Sequence, residues 1–342
     1  MSAPAPALSV LDQSPIAQGS TGADALRNTL DLARLTDALG YARYWVAEHH
    51  GGPMLAGPSP EALIGPIAGV TSAIRVGSGG VMLPHYSPLK VAESFSLLAG
   101  LHPDRIDLAV GRAPGTDALT SFALQRDRRS AAPDDFPSQL AELLGYLEDR
   151  LPPDHPFAHL ARTLPGRPHV PEPWLLGSSP QSALWAAELG LPYAFADFIN
   201  PHGARIAESY HQRFAETGRA AGPQVAVAVW ALCAPSREEA EHLAASSRWA
   251  FVKLHRGELI AVPPPQEAER ELAASPGALA AHRRRAVLGT GPQVREELER
   301  IALEYGAREV IVVTITHDHA MRRRSYELLA DAFALVGRTA GA

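Results

Sequence analysis

The amino-acid sequence predicts a single (β/α)8 barrel over residues 1–342, with two long insertions. Short apolar runs alternate with amphipathic segments of helix length almost from end to end, and eight strand–helix units can be counted. Several of the apolar runs also stop on histidine, arginine, glycine or serine. Because α/β barrels place their chemistry at the carboxyl ends of their strands, this second observation favours the same fold and indicates one pocket built from several strand ends.

The predicted elements follow one another in a regular order. The strands are the short apolar runs Leu8–Leu11, Tyr44–Ala47, Arg75–Gly79, Ile106–Val110, Trp174–Leu176, Tyr193–Ala196, Val225–Leu232 and Val310–Thr316. The helices are the amphipathic segments Ala23–Leu39, Pro60–Thr71, Pro88–Ala99, Pro137–Leu147, Gln181–Leu189, Gly203–Thr217 and Ala320–Leu335. Gly40 is placed to end the first helix. A doubly wound open sheet also alternates, but the residues 11–15 after the first strand lack its glycine fingerprint.

Two long stretches interrupt the alternation, at about 113–172 and 233–291. Loops much longer than about 15 residues are uncommon unless they have a function. Both stretches are therefore candidate lids or interface segments, and the second is a candidate to close over the pocket. We find no internal repeat beyond the βα unit and no domain boundary.

Composition excludes several classes of function. The formal charge of −6 argues against nucleic acid as the main partner, since binding phosphates requires clustered lysine and arginine. The local cluster Arg283-Arg284-Arg285 suits either a phosphate or, more simply, a solvated helix face. Cys233 is the only cysteine, so an internal disulfide is excluded and a buried, inert thiol is expected. No signal peptide and no membrane span is predicted, and we expect a cytoplasmic protein.

Two strand ends carry candidate anion ligands. The segment Gly177–Ser182 lies between a strand and a helix, where free backbone N–H groups and short hydroxyls suit a phosphate. Simple N-capping by Ser178 or Ser179 would explain the same residues. Arg112 ends the fourth strand, and either an anion or a surface salt bridge would neutralise it.

Histidines and paired glycines mark two further strand ends. His49 follows the second strand and suits hydrogen bonding or proton transfer, with a buried structural histidine as the alternative. A metal shared by His49 and His50 is not expected, because adjacent strand residues point to opposite faces. Near the last strand, Asp318 is more simply a helix N-cap than a metal ligand. Gly79-Gly80 allows either close approach of a flat ligand or a tight bend.

These motifs together resemble the luciferase-like flavin-dependent monooxygenases, the family that includes the bacterial luciferase α subunit. The resemblance covers nearly the whole chain, and its marks are Glu48-His49-His50, the glycine-rich run 76–84, Gly111-Arg112, Gly177-Ser178-Ser179 and the segment 185–192. It implies a (β/α)8 barrel, in agreement with the strand count. Where the light-emitting enzymes carry a reactive cysteine, this chain has Gly111, so thiol-dependent behaviour is not expected.

The resemblance also implies roles for residues. His49 is implied to be catalytic, near the reactive edge of the flavin, and Gly79-Gly80 to form a non-proline cis peptide beneath the ring. The residues implied to hold the flavin phosphate are Arg112, Gly177, Ser178 and Ser179. Trp249 matches an aromatic residue that lines the flavin pocket, with ordinary helix packing as the alternative.

The implied activity is that of a two-component monooxygenase. A separate reductase would supply reduced FMN, which reacts with O2 to give a C4a-peroxide that oxygenates a small apolar or aromatic compound. His49 would hydrogen-bond the peroxide or move the proton. An F420-dependent hydride-transferring oxidoreductase and a non-catalytic flavin-binding subunit remain open as alternatives. A homodimer is expected, paired through the two helices Ala23–Leu39 and Pro60–Thr71.

Overall fold

Eight parallel strands close into a barrel in the computed structural model, which describes residues 5–125, 127–129, 134–218, 222–275, 277–278 and 285–337. The barrel is closed because β1 pairs with β9, the last strand, β9 pairs with β7, and β7 pairs with β6. The strands are β1 Ala7–Asp12, β2 Arg43–Val46, β3 Arg75–Met82, β4 Ile106–Gly111, β5 Glu172–Gly177, β6 Tyr193–Ala196, β7 Val225–Cys233, β8 Ala286–Gly289 and β9 Glu309–Val313.

Helices surround the barrel and connect its strands. They are α1 Gly22–Leu39, α2 Pro60–Gly69, α3 Pro88–Leu101, α4 Ala118–Leu124, α5 Phe136–Glu148, α6 Pro180–Leu189, α7 Ala204–Glu216, α8 Arg237–His255, α9 Pro265–Ala274, α10 Gly291–Tyr305 and α11 His319–Ala332. Gly40 ends α1 in the left-handed conformation, with φ at 91°, as its position predicts. Within the described ranges, none of these helices combines the length and the apolar character needed to cross a membrane.

The (β/α)8 prediction is confirmed, and the eight predicted strands correspond to β1–β7 and β9. The final strand ends at Val313 rather than at Thr316. The predicted insertion 233–291 is more regular than expected, because it contains α8, α9 and the additional strand β8. β8 pairs only with the carboxyl-terminal half of β7, from Trp230 to Cys233. Serine is a preferred residue at the N-terminal cap of a helix. Ser236 caps α8 in this way, by accepting a hydrogen bond from the Glu239 N–H at 3.1 Å.

Charged side chains fill the amino-terminal end of the barrel. Arg43 of β2 contacts Asp107 of β4 at 2.8 Å and Glu309 of β9 at 3.2 Å. Arg75 of β3 contacts the other oxygen of Asp107 at 2.5 Å, and the indole N–H of Trp45 donates to Asp107 at 2.9 Å. This network pairs strands across the barrel. It closes the amino-terminal end of the barrel. The candidate site residues lie at the opposite, carboxyl-terminal end.

A second buried ion pair lies at the carboxyl-terminal end of β1, where the barrel closes. Asp12 accepts from Arg322 of α11 at 2.6 Å and from the Tyr44 hydroxyl at 2.5 Å, and both charged residues are almost fully buried. Arg322 also donates to the carbonyl of Thr314, which follows β9, at 2.8 Å. Burial raises the pKa of Asp12, but the Arg322 charge and these hydrogen bonds outweigh it and lower the pKa below its ordinary value.

Substitution Arg322→Met is expected to lower the free energy of unfolding by about 3–5 kcal/mol, because it leaves the Asp12 carboxylate buried without its counter-charge. Guanidinium denaturation followed by circular dichroism measures the loss. The matched control is Arg324→Ala on the same helix, whose half-exposed side chain pairs with Glu327 at 3.1 Å and should contribute less than about 1 kcal/mol. Equal losses for the two variants would contradict the assignment.

Candidate active site

Two adjoining cavities lie at the carboxyl-terminal end of the barrel, with volumes of about 600 Å³ and 550 Å³. The first extends into the barrel interior, and the second lies between the loops that follow β1, β2 and β4 and the end of α8. Three residues line both cavities: Gln13, His49 and Gly115. This is the end at which barrels of this type carry their active sites.

The first cavity has an apolar inner end and a polar outer end. Leu11, Trp45 and Ile311 are among the residues of the inner end, whereas Arg112 and Ser182 belong to the outer one. Most of the residues singled out in the sequence line this cavity, namely His49, Gly79, Arg112, Gly177, Ser178 and Ser179. The strand ends therefore do converge on one pocket, with the candidate anion ligands at its mouth.

Gly79 of β3 lines the cavity floor, whereas Gly80 is not among the lining residues and packs against the barrel wall. The peptide bond between Gly79 and Gly80 is cis. A Cβ atom on Gly79 would lie 2.6 Å from a methyl carbon of Leu11, and one on Gly80 would lie 2.5 Å from a methyl carbon of Leu176 and 2.7 Å from the carbonyl oxygen of Ala109. Any side chain here would collide with the barrel. A smooth floor of this kind suits a flat ring system.

Glu48 and His50 form a scaffold beside the cavity. The two oxygens of the buried Glu48 carboxylate accept hydrogen bonds, one from His50 and Tyr86 at 2.8 and 3.1 Å and the other from the Met82 N–H at 2.9 Å. Glu48 is thus fully engaged and points toward the scaffold, and His50 is committed to it. His49, between them, lines both cavities.

The imidazole of His49 is neutral at physiological pH. Burial and the neighbouring His50 lower its pKa from 6.5 to about 4. Its Nδ1 atom is buried and has no hydrogen-bond partner, while its backbone N–H is fixed by the Gly57 carbonyl at 3.0 Å. A positioned neutral imidazole can donate or accept one hydrogen bond. The lowered pKa does not favour a protonated His49 as an acid near pH 7.

The polar mouth combines a cation with a helix start. Arg112 is half-exposed, pairs with the exposed carboxylate of Asp134 and lies 5.9 Å from the centre of the Trp185 ring. Ser179 is the N-cap of α6 and accepts from the Ser182 N–H at 3.3 Å, so the capping role considered for it is observed. An exposed ion pair contributes only about 0–1 kcal/mol, so an anionic ligand can replace Asp134 beside Arg112.

Trp249 lies elsewhere. Its ring is buried between α8 and α9 against Val252 and Ala268, and Lys253 lies 5.3 Å from the ring centre. It is not among the residues that line either cavity, so helix packing accounts for its position. The same helix does reach the second cavity, through Phe251 and Leu254.

The second cavity is mainly apolar and contains no cationic side chain among its described lining residues. Met54, Leu55 and Leu259 are among those that form its walls. Its one carboxylate, Asp117, caps α4 by accepting from the Thr120 N–H at 2.9 Å. Met54 and Leu55 follow the second predicted strand, so their place near a strand end can be read from the sequence, whereas Leu259 has no such signal.

Two other sequence candidates have local roles or fall outside the described residues. Asp318 caps α11, accepting from the Ala320 N–H at 2.7 Å, as the simpler interpretation predicts. Arg283 and Arg284 lie outside the described residues. Arg285 pairs with Glu304 at 3.3 Å and donates to a backbone carbonyl at 3.0 Å. Arg285 is thus part of an ion pair on the scaffold.

Comparison with known proteins identifies the family of the chain. Residues 8–309 match the model of the luciferase-like monooxygenase family. The chain is 40% identical to a luciferase-like monooxygenase of Escherichia coli, over 95% of this chain and 96% of that protein. It is 38% identical to the N-acetyl-S-alkylcysteine monooxygenase of Bacillus subtilis, over 95% and 97% of the two chains.

Solved structures give the same result for the fold. The crystal structure of apo-MsnO8 superposes with a TM-score of 0.87 at 42% identity, covering 98% of this chain and 99% of that one. The oxygenating constituent of 3,6-diketocamphane monooxygenase from Pseudomonas putida, in complex with FMN, shares the fold with a TM-score of 0.72 at 18% identity, covering 98% and 100%.

The shifted pKa of His49 predicts a pH-dependent stability. Between pH 6.5 and 4 the unfolded chain binds a proton at this residue and the folded chain does not, so stability falls as the pH is lowered through this window. The loss amounts to about 3 kcal/mol below pH 4. The His49→Gln variant lacks this proton uptake, and its denaturation midpoint should fall less between pH 7 and pH 4. The exposed His159→Gln is the control; identical profiles for wild type and His49→Gln would contradict the prediction.

Proposed function

The chain belongs to the luciferase-like monooxygenase family, and from this premise we propose that it is an FMN-dependent monooxygenase. It would be the oxygenating component of a two-component system, using reduced FMN and O2 to oxygenate a small, uncharged organic compound. The observation that carries the proposal is the pair of adjoining cavities. The first has a glycine floor and a cationic mouth, and the two meet at polar groups that have no partner within the described protein.

The first cavity fits a flavin mononucleotide. Bound there in its reduced form, FMN would supply the electrons that activate O2. Arg112, the Ser178 hydroxyl and the N–H groups at the start of α6 would hold the phosphate, because a cation and a helix N-terminus both favour an anion. Pro180 at the first helical position removes one N–H donor from this set. The ring would lie over Gly79, among the apolar residues of the barrel interior.

His49 would act as a neutral hydrogen-bonding group beside the ring. It is held in place through its backbone and through the Glu48–His50 scaffold on either side of it. The apolar walls of both cavities would exclude water, which limits the loss of activated oxygen as H2O2.

The lining of the second cavity indicates the class of substrate. A carboxylate would be buried there without a cationic partner and near the carboxylate of Asp117, which is unfavourable. The relative from Bacillus subtilis is named for an N-acetylated S-alkylcysteine, which carries a carboxyl group and a thioether. We propose that the substrate of this chain is apolar or aromatic and uncharged where it enters the cavity.

The proposal includes partners. A separate flavin reductase would deliver reduced FMN, and the protein would act in the cytoplasm as a homodimer paired through α1 and α2. The family alternatives are an F420-dependent oxidoreductase and a flavin-binding subunit without activity. The unpartnered His49 and the cationic mouth favour an active, cofactor-binding chain over the inactive one.

Arg112→Ala is expected to weaken FMN binding roughly tenfold to a hundredfold, because one charge-assisted contact contributes about 1.5–3 kcal/mol. Riboflavin lacks the phosphate, so its affinity should stay the same. Anaerobic titration followed by flavin fluorescence measures both. The control is Arg150→Ala, which removes an exposed arginine paired with Glu148 away from the cavities. Unchanged FMN affinity in a folded Arg112→Ala protein would remove Arg112 from the site.

Oxygen uptake tests the function as a whole. The wild type should bind chemically reduced FMN more tightly than reduced F420 and should change the rate at which the bound FMN is reoxidised by O2, measured by stopped-flow absorbance. Added uncharged thioethers or ketones that are oxygenated should lower the yield of H2O2. His49→Gln should retain FMN binding and divert the consumed oxygen to H2O2. Reoxidation identical to that of free FMN, or hydride transfer with F420 alone, would contradict the proposal.

A further inference from the structure

Gln13 lies at the boundary between the two cavities and has no assigned role. Its side chain lines both of them, although the residue is only 5% exposed. The amide oxygen is buried and makes no hydrogen bond. Among the described residues that line both cavities, the buried side-chain atoms without a partner are this oxygen and Nδ1 of His49. Buried amides are normally satisfied, so an unsatisfied one in a cavity wall indicates a ligand.

The backbone on both sides of Gln13 is fixed. The carbonyl of Asp12 accepts from the Ala47 N–H at 3.0 Å, and the Ser14 N–H donates to the Asp12 carboxylate at 2.7 Å. The carbonyl of Ser14 accepts from the Ala56 N–H at 2.9 Å. The side chain of Gln13 therefore projects from a rigid turn on the same side as Leu11, two residues earlier, which faces the barrel interior. The fold therefore fixes the backbone from which the amide projects.

The chemistry of this boundary selects the kind of group that can bind there. A glutamine amide is neutral at every pH and can both donate and accept, and His49 beside it is neutral as well. The boundary thus lacks the charge that a phosphate would need, which Arg112 offers at the mouth. It suits a neutral group that presents hydrogen-bond donors and acceptors side by side, as the carbonyl and N–H groups of a flavin ring do.

We propose that Gln13 is a cofactor-binding residue whose amide hydrogen-bonds to the polar edge of the flavin ring on the side that faces the second cavity. The inference rests on the proposed function, because it requires a flavin in the first cavity. Gln13 and His49 would then hold the ring at the place where cofactor and substrate meet. The ring and the phosphate would be bound by separate groups at opposite ends of the cavity.

Titration with FMN and riboflavin, in their oxidised and reduced forms, tests the proposal. Gln13→Leu removes the amide and is expected to weaken the binding of both ligands by the same factor, about threefold to tenfold. This pattern differs from that of Arg112→Ala, which should affect FMN alone. In the double variant the two losses should multiply, since distant sites act independently. Gln13→Met keeps an unbranched side chain and provides a second variant if Gln13→Leu folds poorly.

The control is Gln18→Leu in the same loop, because Gln18 is exposed and donates to Glu267 at 3.1 Å. A readout without flavin completes the test: removing an unsatisfied buried amide should leave the melting temperature of the ligand-free protein unchanged or raise it. A wild type that binds riboflavin no better than Gln13→Leu and Gln13→Met do would overturn this inference alone. A wild type that binds neither flavin would overturn the proposed function, and this inference with it.

Discussion

The buried pair of Asp12 and Arg322 is the interaction on which the site depends. It joins the end of β1, the first strand, to α11, and through the Thr314 carbonyl to the end of the last strand. Because the charges are out of water, the pair stabilises only when it is complete. The Asp12 carbonyl also holds the N–H of Ala47, and His49 follows two residues later. Asp12 therefore anchors β1 to α11 through its side chain and, through its backbone, fixes the segment that leads to His49.

Buried polar and charged groups at the two ends of the barrel interior differ in how they are paired. At the amino-terminal end, Arg43, Asp107 and Glu309 compensate one another, as groups that serve stability must when they are buried. At the carboxyl-terminal end, Gln13 and His49 keep polar atoms without partners. Unsatisfied buried groups lower stability, so their presence in residues that line a cavity indicates a binding role. The ion pairs of Arg43, Asp107 and Glu309, at the other end of the barrel, offset this loss of stability.

The sequence predicted the barrel because the alternation of strands and helices is a local property repeated along the chain. It also predicted Arg112 and Ser178 at the cavity, since strand ends in a parallel barrel necessarily converge. It did not locate Trp249, because whether a helical aromatic faces a pocket or a neighbouring helix depends on the rotation of α8, which tertiary packing sets. Gln13 had a weak indication in the sequence. It lies two residues after Leu11, the spacing at which side chains of a strand point to the same face.

Charge is distributed along the first cavity in a way that separates two tasks. Arg112 lies at the mouth, where water screens it and where Asp134 balances it until an anion arrives. The neutral Gln13 and His49, at the boundary with the second cavity, are the groups proposed to contact the ring, while both oxygens of the Glu48 carboxylate already accept hydrogen bonds. Burying a ring against neutral groups avoids the desolvation penalty of a charge. With a flavin bound as proposed, the cation would determine how tightly the phosphate is held, while the neutral pair would orient the ring.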